Sequence, residues 1–304
     1  MMARTDDGIR LAALYGHPVS HSLSPAMQNA AFNKLNINVI YISLDVLPDQ
    51  LFAAVEAARG LHFTGFNLTH PHKQAVMCYL DRVDDPAGRI GAVNTVVNRE
   101  GILTGYNTDG KGFMRSLLED YDFQPRGKRI VLFGVGGAGR AISHALHREN
   151  PKELTVVNRT FQRAQQWAAV LAAQALDWED PQVSREIERA DLVVNAAAVP
   201  LHLDAGLISK GTLVYDIVYG QERSDLADQV RGRGARWADG RSMLLHQGAL
   251  AFELWTGRQA PVEVMREALY HPLAAMVEAA REAFEGSGRS VERIEEKNQG
   301  ETDA

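Results

Sequence analysis

Lys73 ends the run Gly65-Phe66-Asn67-Leu68-Thr69-His70-Pro71-His72-Lys73, just inside a segment that reads as a helix start. Pro71 suits the first helical position, because its missing N–H falls among the unpaired ones there. Thr69 or His70 would then be the cap. The positive end of a helix disfavours an ammonium group and lowers its pKa toward the range useful for proton transfer. A lysine so placed is a candidate acid–base group. A solvated lysine leaning away from the helix end satisfies the same sequence equally well. Asp109 follows Tyr106-Asn107-Thr108 and precedes Gly110, and alone it reads as a turn residue. Ser22 and Ser24 lie in Gly16-His17-Pro18-Val19-Ser20-His21-Ser22-Leu23-Ser24-Pro25 and offer hydroxyls to a polar ligand. Ser24 before Pro25 is also a good helix cap. Asn94, in Gly91-Ala92-Val93-Asn94-Thr95, is a polar residue in an apolar run and must find hydrogen bonds if buried.

A second set of residues binds rather than reacts. Gly134-Val135-Gly136-Gly137-Ala138-Gly139 follows the apolar run Arg129-Ile130-Val131-Leu132-Phe133 and opens a helical segment. The first glycine permits the tight turn, the second lets backbone approach a pyrophosphate, and the third lets helix and strand pack closely. The phosphates would meet free N–H groups at the helix N-terminus. The next strand ends Val156-Val157-Asn158-Arg159-Thr160, with Arg163 close behind. An NAD-binding chain typically places a carboxylate here for the ribose 2′-hydroxyl. Arginine instead offers charge-assisted donors to a 2′-phosphate, which predicts NADP.

These groups must be positioned by an α/β fold. Strand candidates at Arg10–Tyr15, Val39–Leu44 and Phe63–Leu68 alternate with helical segments. Pro48–Arg59 is one of these, with Leu51, Phe52, Val55 and Ala58 on one face. Ala92–Asn98 and Ile102–Tyr106 flank Arg99-Glu100-Gly101 as a hairpin. The spacing predicts a mostly parallel, mixed sheet over residues 8–110 and a Rossmann-type unit over 111–240, with strands at Leu154–Val157, Leu192–Asn195 and Leu213–Ile217. Helices from about 241 to 284 should return to the first unit, and residues 286–304 read as a disordered tail.

The chain has 304 residues, a formal net charge of −6 and 45% apolar residues, so it can build full cores and lacks a nucleic-acid footprint. Its single cysteine, Cys78, sits in an apolar run and reads as a small core residue in a reducing compartment. No signal-peptide core and no membrane-length apolar run is visible, and no metal is implied. A cytoplasmic protein acting on a small molecule, monomeric or homodimeric, is the expectation.

Taken together, the segments Gly16–Asn29, Asn67–Lys73, Gly88–Thr95, Asn107–Gly110, Gly134–Arg140, Asn158–Thr160 and Gln247–Gly257 resemble the shikimate dehydrogenase family in order and over almost the whole chain. The resemblance implies a substrate unit and a Rossmann unit separated by a cleft. It also implies NADPH-dependent reduction of 3-dehydroshikimate to shikimate. By position, it makes Lys73 and Asp109 the catalytic pair and Ser22, Ser24, Thr69, Asn94, Tyr219 and Gln247 the substrate contacts. Gly134, Gly136, Gly137, Ala138, Gly139, Asn158, Arg159 and Thr160 would hold the cofactor, with Ile217 and Gly240 near the nicotinamide.

The sequence departs from the family pattern in three places. Gln28 replaces a usual histidine, Ala196-Ala197-Ala198-Val199-Pro200 a usual hydroxyl-Gly-Met run, and Gly220-Gln221-Glu222-Arg223-Ser224 a usual Pro and Thr. The last two bear on which ring is reduced, so a quinate or modified-shikimate dehydrogenase stays open. A non-catalytic nucleotide-binding paralogue is the reading from another class, and retention of Lys73 and Asp109 argues against it.

Overall fold

The computed structural model describes residues 8–197, 199, 203–219 and 224–272. The first part runs β1 (Arg10–Gly16), α1 (Ser24–Lys34), β2 (Val39–Asp45), a 3-10 turn at Pro48–Gln50, α2 (Leu51–Gly60) and β3 (Gly65–Leu68). It continues with α3 (His72–Ala75), a 3-10 turn at Val76–Tyr79, β4 (Arg82–Val83), α4 (Asp85–Ile90), β5 (Thr95–Arg99) and β6 (Ile102–Tyr106). The strands form one six-stranded sheet in the order β2-β1-β3-β5-β6-β4. β1 pairs parallel with β2 and β3, and β4 with β6, while β5 runs antiparallel to β3 and β6. The β5–β6 hairpin turns at Glu100 (φ 53°) and Gly101 (φ 87°).

Helix α5 (Asp109–Glu119) leads into a second sheet built from β7 (Arg129–Phe133), α6 (Gly137–Arg148), β8 (Glu153–Asn158), α7 (Phe161–Leu171), β9 (Gln174–Asp177) and α8 (Gln182–Arg189). Then come β10 (Leu192–Asn195), a 3-10 turn at Ala205–Leu207, β11 (Leu213–Asp216), α9 (Asp225–Gly232) and β12 (Arg236–Ala238). The order β12-β11-β10-β7-β8-β9 is all parallel. Counted from β7 as strand one, this is the doubly wound 3-2-1-4-5-6 arrangement, whose direction reverses between β7 and β10. Helices α10 (Arg241–Thr256) and α11 (Val262–Tyr270) return to the first sheet.

Alternate residues of the central strands feed opposite cores, as parallel strands covered on both faces require. Leu132 and Val194 join Phe113, Ile142, Leu146 and Trp167 on one side, while Val131, Phe133 and Val193 join Val183, Ile187 and Val230 on the other. In the first sheet, Ala12 and Leu14 meet Met27, Phe32, Phe252 and Trp255, and Ala13 and Tyr15 meet Val55, Phe66 and Val76. Two glycines set the closest helix contact to the site. A Cβ at Gly112 of α5 would lie 2.5 Å from the Gln247 nitrogen of α10, so the helices cross backbone to backbone. A Cβ at Gly110 would lie 2.5 Å from the Ala141 carbonyl of α6.

Several expectations need correction. Pro71 is the residue before α3, not inside it, and the helix is a single turn without a side-chain cap. A helix that short has little dipole to act on Lys73. Ser24 does not cap α1; Leu23 holds the cap position, and the Ser22 hydroxyl accepts the Ser24 N–H at 3.2 Å. Phe52 is 56% exposed, because α2 begins at Leu51 and buries Leu51, Val55 and Ala58. Cys78 is exposed in the 3-10 turn, where the helical spacing that would bury it is broken. Strands β4, β9 and β12 were not expected. The part of the expected returning helices beyond Pro272 and the tail from 286 fall outside the described residues.

Asp120, at the C-terminal end of α5, locks that helix to α10 and α11. It accepts hydrogen bonds from Ser242 and from buried His246 (3.1 Å), and Arg266 Nη2 lies 3.2 Å away. Burial alone would raise its carboxyl, but His246, Ser242 and the Arg266 charge together hold it at about 2, against 3.8 ordinarily. A depressed carboxylate contributes stability above its unfolded pKa, and that contribution is lost as pH falls through the folded value. Asp120→Asn is therefore expected to lower unfolding stability by about 2 kcal/mol at neutral pH, with the difference shrinking as pH falls from about 4 to about 2. Urea titrations at neutral pH and at about pH 2 check this, and an equal difference at both would contradict it.

Candidate functional site

The first sheet aims its residues at one edge. β1, β3 and β6 all end there, and antiparallel β5 begins there, with Asn67 opposite Thr95 and Thr95 opposite Tyr106. The loops leaving this edge carry Ser22 and Ser24, Thr69 and Lys73, Asn94, and Asp109. Lys73 Nζ donates to Asp109 Oδ2 at 2.6 Å, with side chains 17% and 4% exposed. The Lys73 carbonyl accepts the Val93 N–H at 2.8 Å, which ties the single-turn α3 to the Asn94 segment. Asp109 is the first residue of α5, where the helix N-terminus favours a carboxylate. It is a helix-starting residue rather than a simple turn residue, and Asn107 Oδ1 accepts its N–H at 3.0 Å.

Asn94 is the hub of the buried network. Its Nδ2 lies 2.8 Å from Asp109 Oδ1, 2.9 Å from Thr108 Oγ1 and 3.1 Å from Gln247 Oε1. Its Oδ1 accepts from the Thr108 N–H at 2.8 Å and the Thr95 hydroxyl at 3.0 Å. Gln247 comes from α10, so the returning helix closes the site. Asn67, which sequence reasoning passed over, braces the same network by donating to the Asn94 carbonyl and the Thr95 hydroxyl, each at 3.0 Å. Its signal was a polar residue inside the buried strand Gly65–Leu68. Ser24 is buried and hydrogen-bonds the Tyr41 hydroxyl, whose pKa burial pushes far up. Thr69 packs its methyl on Gly16, where a Cβ would stand 2.3 Å away.

The second sheet presents its own carboxyl edge. Gly134 has φ 95° and abuts Ala196 and Ala197, and a Cβ at Gly139 would stand 2.0 Å from the Gly134 carbonyl. Around Gly136 there is open space, and no side chain caps α6. A strand–turn–helix with a bare N-terminus and room above its second glycine fits a pyrophosphate. Asn158 Oδ1 accepts the Val135 N–H at 3.3 Å and its Nδ2 donates to the Thr160 carbonyl at 3.0 Å, so this amide also shapes the turn. Arg159, Thr160 and Arg163 are exposed. Arg140, which sequence reasoning did not single out, lies with its guanidinium carbon 5.2 Å over the Trp167 ring. Burial first, and then the Arg163 charge, lower its pKa. Ile217 and Gly240 are brought together, since a Cβ at Gly240 would stand 1.9 Å from the Ile217 carbonyl.

The two edges face each other. A Cβ at Gly137 would lie 3.0 Å from Lys73 Cβ, so the lysine stem rests on the glycine turn. Tyr219, from the loop after β11, hydrogen-bonds Ser22 and the Leu23 backbone, and burial first of all raises its hydroxyl pKa. Among the described residues no group of three or more His, Cys, Asp or Glu could hold a metal, and no helix is long and apolar enough to cross a membrane.

This is a two-sheet α/β protein with a dinucleotide-binding Rossmann sheet. Family models for the shikimate dehydrogenase substrate binding domain, shikimate / quinate 5-dehydrogenase and the shikimate 5'-dehydrogenase C-terminal domain match residues 14–96, 118–206 and 240–270. A shikimate dehydrogenase (NADP(+)) of Methanopyrus kandleri is 44% identical over 282 residues, covering 88% of this chain and 97% of that protein. The shikimate 5-dehydrogenase of Thermus thermophilus, solved with NADP(H) and shikimate, superposes with a TM-score of 0.79 at 36% identity, over 86% of this chain and 99% of that one. A quinate dehydrogenase of Corynebacterium glutamicum, solved with NAD, reaches 0.77 at 33% identity, over 86% and 98%. The chain belongs to the shikimate dehydrogenase family.

Proposed function

We propose that this chain reduces 3-dehydroshikimate to shikimate with NADPH, reversibly, and that Lys73 and Asp109 handle the proton. The observation that carries the reading is the Lys73 Nζ–Asp109 Oδ2 contact of 2.6 Å, with the lysine stem lying on Gly137. The relatives named for NADP and shikimate support the substrate and cofactor. Reduced nicotinamide, when bound, supplies hydride to a ring ketone.

The ketone oxygen gains negative charge as hydride arrives. The Lys73 ammonium stabilises that charge and donates the proton that completes the hydroxyl. Asp109 orients Lys73 and balances its charge, and Asn94 holds Asp109 through Oδ1. In the reverse direction the same pair takes the hydroxyl proton. Ser22, Ser24, Thr69, Asn94, Tyr219 and Gln247 surround the ring, and their donors and acceptors suit a polyhydroxylated carboxylate. The glycine turn Gly134–Gly139, with Asn158, Arg159 and Thr160, holds the cofactor, whose nicotinamide end reaches Ile217 and Gly240. Residues 8–110 with the returning helices form the substrate unit, and 111–240 the cofactor unit. We place the protein in the cytoplasm as a monomer or homodimer, which sedimentation of the purified chain decides.

Steady-state kinetics of the purified protein with shikimate and quinate, each with NADP+ and NAD+, test the reading. The highest kcat/KM is expected for shikimate with NADP+. A preference for quinate, or no turnover of either, would overturn it.

A further inference from the structure

Asn195 and Asp216 end β10 and β11 as register neighbours, and they are 0% and 3% exposed. Asn195 Nδ2 donates to Asp216 Oδ1 at 3.1 Å and to the Val199 carbonyl at 3.1 Å, while its Oδ1 accepts the Ala197 N–H at 3.1 Å. Asp216 Oδ1 also accepts the Val218 N–H at 2.9 Å. One buried pair thus shapes both chain segments that leave the sheet on this side of the switch point.

The turn geometry needs only an acceptor at residue 216, because these bonds all arrive at Oδ1. An asparagine would serve. The negative charge is additional, and among the described residues its hydrogen-bond partners are an amide and a peptide N–H, both neutral. An ionised carboxylate so buried is costly unless a positive charge meets it. Burial accordingly raises its pKa from the ordinary carboxylate value.

Location says which charge that is. A dinucleotide lies along the carboxyl edge of a doubly wound sheet. Its phosphates take the N-terminus of α6 and its adenosine end takes the side of β8, where Arg159 stands. The other half therefore extends toward β10 and β11. That half ends in a ring that is a cation when oxidised and neutral when reduced.

We propose that Asp216, held by Asn195, is a charge-setting residue for the nicotinamide end, its carboxylate favouring the oxidised ring over the reduced one. It thereby assists hydride departure, during which positive charge develops on the ring. The inference rests on the NADP dependence given above and not on the role of Lys73.

The test is a binding measurement. Wild type, Asp216→Asn and Asp216→Ser are titrated with NADP+ and with NADPH by intrinsic tryptophan fluorescence, and circular dichroism checks the fold. Asp216→Asn is expected to lose about tenfold in NADP+ affinity and to stay within about twofold for NADPH. Asp216→Ser keeps a small neutral acceptor for the Val218 N–H and should shift the ratio the same way. The serine variant decides the matter if the asparagine variant does not fold. An NADP+ to NADPH affinity ratio equal to wild type in a folded variant, whether both affinities hold or fall together, overturns the proposal.

Discussion

Lys73→Ala is expected to lower kcat about a thousandfold while leaving NADP+ affinity within about twofold. On the proposed mechanism, the size follows from losing both the proton donor and the positive charge opposite the developing alkoxide. The separation of effects follows from geometry. Lys73 meets the glycine turn through Cβ and Cδ of its stem, while its ammonium donates to Asp109. Removing the stem opens space above Gly137 but leaves the bare N-terminus of α6 intact. Asp109 then loses its cation yet keeps Asn94 and its place at the start of α5, so the fold should survive. Single-turnover rates together with NADP+ titration give both quantities. Equal loss of turnover and of NADP+ binding would make Lys73 a structural residue.

Arg159→Asp is expected to turn the cofactor preference over, lowering the kcat/KM ratio of NADP+ to NAD+ by about a hundredfold or more. On the proposed assignment, the substitution removes a planar cation from beside the 2′-phosphate and puts a carboxylate there, which repels phosphate and accepts from a ribose hydroxyl. Arg163 remains exposed after β8 and keeps part of the positive field. Arg163→Ala should therefore shift the preference in the same direction by less. Specificity constants for both cofactors at fixed shikimate provide the check. An unchanged ratio would remove Arg159 from 2′-phosphate recognition.

The glycine turn was legible because each of its residues answers a local demand. A tight turn, an open approach and a close helix contact can be read from Gly134, Gly136 and Gly139 without tertiary knowledge. The long strands were legible for a related reason, since a run such as Arg129–Phe133 is apolar on both faces. The missed strands are short. β4 has two residues and β12 three, and β9 mixes Gln174 and Asp177 with two apolar residues, so none shows a period. Cys78 was misplaced where a 3-10 turn interrupts helical spacing, and Phe52 stands one position off the buried Leu51–Val55–Ala58 stripe of α2, which apolar character alone does not reveal.

The candidate site divides the same way. Lys73, Asp109 and Asn94 drew attention because each sits awkwardly in its local sequence. Their mutual distances depend on β5 running antiparallel between β3 and β6, a tertiary fact. Gln247 had no local signal, since one amide on an apolar helix is unremarkable until α10 is seen crossing α5 at Gly112. Asn195 ends one expected strand and Asp216 falls within another, and neither carries a local signal. Only the parallel register of β10 and β11 makes them a pair.

The most direct test of the central claim is a crystal structure of the ternary complex with shikimate and NADP+. One ring hydroxyl should lie within hydrogen-bonding distance of both Lys73 Nζ and the Asp109 carboxylate, with the nicotinamide against the carbon that bears it. A bound shikimate whose carbon facing the nicotinamide carries a hydroxyl out of reach of Lys73 and Asp109 would contradict it.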